Sequence, residues 1–194
     1  MDTTLPPPPD LRETRATVLM LDLVRAYTGG DWDGANDLLQ EVDRAFRMLQ
    51  DPMGGLGLHN LGQAVLEEMF EQLMDDLGVR VVEDFPGTVP SAVFSAQLYT
   101  LLEGVELNPQ VMLCLLAFCR GDLAGMLDTR GLRSIGWFIV VGLCTAVAGS
   151  VHHGGRAAYL AVLDDRRTAA AALPASCNRP PDQRGQGGGF IFGP

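Results

Sequence analysis

Lysine is missing altogether from these 194 residues: all 14 basic residues are arginine, set against 24 acidic ones, for a formal charge of −10. An acidic chain repels phosphate backbones, which excludes a general nucleic-acid binder. Histidine is scarce. His152 and His153 are adjacent, so on a helix they point about 100° apart and cannot share a metal, and His59 is far off in sequence. The four cysteines, Cys114, Cys119, Cys144 and Cys177, form no C-x-x-C pair, and three lie in apolar runs. That pattern excludes a zinc or disulfide framework and suits buried free thiols in a reducing compartment. No H-E-x-x-H, G-x-S-x-G or phosphate-loop pattern occurs. The paired acids Asp75-Asp76 and Asp164-Asp165 read as solvated helix surface. The chain is therefore expected to be no enzyme and to need no cofactor. Strand alternation and internal repeats are absent too. The proline-rich stretch before residue 11 lacks the basic and apolar regions of a signal peptide.

What is present is apolar content: 47% of residues are hydrophobic and 20% charged, enough for one packed domain. Apolar residues recur at helical spacing. Val18, Leu21, Val24 and Tyr27 mark a helix over 11–27, ended by Gly29-Gly30. Leu38, Leu39, Val42, Phe46 and Leu49 mark a second over 35–49, stopped by Pro52 and the glycines after it. Leu58, Leu61, Val65, Met69 and Leu73 mark a third over 58–77, acidic on its other face. A fourth spans 90–102, with Gly104 as its breaker. Asn108-Pro109 opens a very apolar helix that could run to Leu127, since Asn caps and Pro suits the first helical position. An apolar helix over 132–151 follows, then a break at His152–Gly155 and a last helix or two over 156–173.

The uncharged stretch 135–151 sits at the lower limit for a membrane span. A helix buried on all sides explains it as well. The expectation is an all-α bundle of seven to eight helices around a central apolar hairpin, spanning residues 11–173. A flexible N-terminus covers 1–10 and a disordered tail 174–194. A helix that buries only one stripe can leave a surface groove for another amphipathic helix.

The order of short motifs resembles the Bcl-2 family of apoptosis regulators. Arg25-Ala-Tyr-Thr-Gly-Gly-Asp-Trp-Asp33 looks like the tyrosine, glycine and Trp-Asp signature at the end of that family's first helix. Leu58-His-Asn-Leu-Gly-Gln-Ala-Val65 resembles the third homology motif, BH3; a rival site at Leu38–Phe46, with Asp43, lies too far from Gly104. Pro86-Gly-Thr88 and Leu101-Leu-Glu-Gly-Val105 resemble the approach to the first motif. Ser150-Val-His-His-Gly-Gly155 with Tyr159-Leu160 resembles the second, and Trp137 falls where the family often has a Trp. The resemblance covers about residues 11–163.

The resemblance implies a pro-survival protein that sequesters BH3-containing pro-apoptotic partners inside the cell, in the cytoplasm or at mitochondria. The groove would have Val65, Met69 and Leu73 on one wall, Leu98, Leu101 and Val105 at the far end, and Asn108, Val111 and Met112 near the floor. A compact fold with neither lysine nor a tail anchor suits a viral homologue. Phe190-Ile-Phe192 is too short to span, although membrane association and a homodimer stay open. The alternatives are a membrane-permeabilising effector and an unrelated helical membrane protein.

Departures from the family pattern are informative. Where the first motif reads Asn-Trp-Gly-Arg, this chain has Glu106-Leu-Asn-Pro109, so the arginine that pairs with an Asp of the bound helix is gone. Arg80 or Arg120 substitutes, or the groove binds differently, or its ligand range is narrow. Gln63 stands where the BH3 Asp would be, and Arg156 where a Trp usually follows the two glycines. Four inserted apolar side chains would contribute about 6–12 kcal/mol. Ordering a disordered peptide costs about 2–5 kcal/mol. Apolar contacts alone thus reach about micromolar affinity, and tighter binding needs hydrogen bonds or a charge pair.

Overall fold

The computed structural model describes residues 11–48, 58–79, 91–127, 132 and 134–172. The expected N-terminus and tail, the turn at Pro86–Thr88 and the glycine-rich stretch after Pro52 lie outside the described residues. Among the described residues there are eight helices and no strand.

The N-terminal helix, α1, spans Leu11–Gly29. It ends where Gly30 takes φ 77°, a conformation that suits glycine. Asp31 then starts α2 (Trp32–Met48): its Oδ1 accepts from the Gly34 N–H at 3.0 Å. α3 spans Leu58–Asp76, α4 Ser91–Leu102 and α5 Pro109–Cys119. Asn108 caps α5, accepting from the Gln110 N–H at 2.8 Å, with Pro109 in the first turn.

The apolar run after Asn108 does not continue to Leu127 as one helix. Gly121 takes φ 76°, and the Gly121 and Asp122 N–H groups bond back to Phe118 and Ala117 carbonyls. That is a glycine helix stop. Asp122 then caps a short α6 (Leu123–Leu127) through the Gly125 N–H at 2.7 Å.

One helix, α7 (Ser134–His152), forms the centre. Every residue from 141 to 150 is buried, and α7 packs against α1, α2, α3, α4, α5 and α8. Its buried hydroxyls are satisfied locally: Thr145 and Ser150 donate to the carbonyls of Val141 and Ala146. Ile135–His152 is long and apolar enough to cross a membrane, yet 67% of it is buried within the protein. α5 is no equal partner to α7 in a central hairpin, because its Leu113 and Leu116 face outward.

α8 (Arg156–Ala172) closes the bundle against α1. Gly154 (φ 77°) and Gly155 (φ 143°) make the turn into it. Arg156 Nε donates to the Thr28 carbonyl at 2.8 Å, and Arg25–Asp164 and Arg167–Asp22 pair across the same seam. The two ion pairs are largely exposed and add little energy. They orient α8 more than they hold it.

Candidate apolar cleft

α4 is apolar on more than one face. Phe94, Leu98 and Leu101 turn inward, and the Phe94 ring lies 4.7 Å from that of Phe118. Val93 and Tyr99 are left outside. The helix stops at Gly104, which takes φ 77° and lets the Val105 N–H reach the Leu102 carbonyl at 3.0 Å. The chain then crosses to Asn108 and α5. That helix buries Val111, Cys114, Leu115, Phe118 and Cys119, and keeps Leu113 and Leu116 outside.

An open cleft of about 420 Å³ lies between these two helices. Ser95, Leu98, Tyr99, Leu102 and Glu103 line it from α4 and its end. Gly104 and Val105 form its rim, and Met112, Leu116 and Cys119 its α5 side. Among the described residues, the exposed large hydrophobics are Val93, Tyr99, Leu113 and Leu116, at 41, 79, 60 and 41% exposure, and all four belong to α4 or α5. Of the four, Tyr99 and Leu116 line the cleft.

Three expected groove residues, Leu98, Val105 and Met112, line this cleft. Leu101 and Val111 point into the core beside it. Asn108 is spent on capping α5. On α3, Met69 and Leu73 are core residues and Val65 is half-buried against the core. Among the described residues no α3 side chain lines this cleft. Of the residues missed from sequence, Tyr99 and Leu116 share one signal, that α4 and α5 carry more apolar surface than one buried stripe needs, whereas Glu103 carries no such signal.

Cys119 lies at the cleft floor. Burial pushes its thiol up, partly offset by a hydrogen bond with Ser95. Cys144 is pushed well up by burial and then by the neighbouring Cys119 and Cys114. Thiols so held stay protonated and make poor nucleophiles. At the end of α7, His153 stacks on Tyr159 at 5.3 Å and His152 lies 4.0 Å from Asp76. Among the described residues no group of three His, Cys, Asp or Glu could hold a metal ion.

No family model matches the chain, and no curated protein or solved structure shows significant similarity to it.

Proposed function

We propose that this chain is a pro-survival regulator of the Bcl-2 kind, which works by binding the BH3 helices of pro-apoptotic partners in an apolar groove, inside the cell and without catalysis. The observation that carries the reading is the α4–α5 cleft, whose lining and flanks hold the exposed Tyr99 and Leu116. A helix laid there would cover apolar surface the fold leaves wet. The ordered family-like motifs in the sequence support the same reading, as does an all-helical domain of this size.

The test is calorimetry of the full chain against a panel of BH3 peptides, repeated with Met112→Glu. Tight binding that the variant abolishes, with helicity unchanged, supports the reading; a folded protein that binds no peptide overturns it. The effector alternative draws on one observation, the apolar length of α7. Leakage from liposomes at submicromolar protein would favour it.

A further inference from the structure

We infer that the helix taken by this cleft carries an arginine beside its apolar stripe, seated against Glu103 and Tyr99. The inference rests on the groove reading above and names the partner's chemistry. Residues 91–119, which build the cleft, contain only two charged side chains, Glu103 and Glu106, and both are acidic. Glu103 lines the cleft itself, and among the described residues its carboxylate forms no ion pair or hydrogen bond. The first base is Arg120, beyond the end of α5, and Asp122 two residues on carries the opposite charge.

A docked helix would strip water from Glu103. A carboxylate left dry and unpaired is unfavourable, and an acidic partner residue there would add like-charge repulsion. A base removes both penalties. Tyr99 selects which base. It stands one helical turn before Glu103, lines the same cleft and is the most exposed large hydrophobic among the described residues, at 79%. A carboxylate beside an open aromatic face suits a guanidinium, which can hydrogen-bond to the one and stack on the other, better than an ammonium. The polarity of the contact is thus opposite to that of a groove whose own arginine meets an acidic partner residue.

The experiment uses fluorescent 20-residue peptides with one common stripe of four leucines. They differ only at two flanking positions, one on each side of the stripe, filled with Arg, Lys, Gln or Glu. Binding to the full chain is read by polarisation at 50 and 500 mM salt. The Arg peptide should bind roughly three- to thirty-fold more tightly than the Gln peptide. Lys should fall between them, and Glu should be weakest. Salt should narrow the spread. Glu103→Gln should remove the Arg advantage, Tyr99→Ala should reduce Arg to the level of Lys, and Asp165→Asn on the exposed face of α8 should change neither. Equal binding of Arg and Glu peptides overturns the inference, as does an Arg advantage that survives Glu103→Gln, which would reflect net charge alone. Failure of every peptide overturns the groove reading as well. A dimer in sedimentation that Leu116→Glu disperses would put a second copy in the cleft and overturn the arginine assignment.

Discussion

The tip of the Tyr159 ring occupies the space where a side chain at Gly149 would begin: a Cβ built on Gly149 would collide with Tyr159 Cζ. Tyr27 stands in the same relation to Gly142, at 2.7 Å from Cε2. Glycine in mid-helix is unfavourable by itself, so close approach of the flanking helices is what these positions gain. Gly149→Ala should lower stability by about 1–3 kcal/mol through overpacking, measured by urea unfolding. An unchanged midpoint would mean that Tyr159 moves aside freely.

Both tyrosine hydroxyls are buried, and among the described residues neither has a hydrogen-bond partner. Tyr27→Phe and Tyr159→Phe keep the rings and remove unpaired polar groups. Each should therefore raise stability, by about 1 kcal/mol. Thermal melts check this.

Alkaline pH gives a separate readout of the same rings. Burial holds both phenols far above their ordinary value. Above about pH 10 the unfolded chain ionises its tyrosines while the folded one does not, so stability present below that pH is lost as pH rises. The double Tyr→Phe variant should flatten this alkaline decline; an unaltered decline would assign it to other groups.

His153 contributes on the acid side. Burial, then His152, then Arg166 lower its pKa, and Asp76 opposes them. The unfolded histidine takes up its proton near pH 6.5 while the folded one resists, so stability held above that pH falls as pH drops further. NMR titration should place the His153 midpoint below 6.5. His153→Gln should flatten the stability profile between pH 7 and 5.

Two adjacent leucines separate folding from binding. Leu115 is fully buried and Leu116 is 41% exposed on the cleft. Leu115→Glu should unfold the protein, since a lone carboxylate would enter the core. Leu116→Glu should shift stability by about 0.5 kcal/mol or less and weaken peptide binding at least tenfold. Circular dichroism and calorimetry on the pair give the two readouts.

Much of the helical framework was legible in the sequence, because its punctuation is local. Gly30 and Asn108-Pro109 act through their own backbone, and α1 and α5 end and begin there. The orientation of α3 was less legible. Of the expected stripe, Met69 and Leu73 are buried but Leu61 and Val65 only half-buried, and the buried face also takes in Leu66, Phe70 and Met74. The reason is tertiary: α3 packs against α1, α2 and α7 together. The stop at Gly121 lies between Arg120 and Asp122, a local break that the apolar residues resuming at Leu123 masked. The cleft was legible only in part. A helix apolar all round states that it has surplus surface, but which face stays bare depends on where its neighbours end.

The central position of α7 also bears on the order of events in folding. Its residues, 134–152, follow nearly all the helices they hold together in chain order. Contacts from α7 back to α1, α2 and α3 close loops of about 60 to 140 residues. Until that segment leaves the ribosome, α1, α2 and α3 can pack only on one another, and the faces they and α4 and α5 turn toward α7 stay uncovered. Translation therefore sets a waiting time during which those faces are exposed to chaperones and to one another.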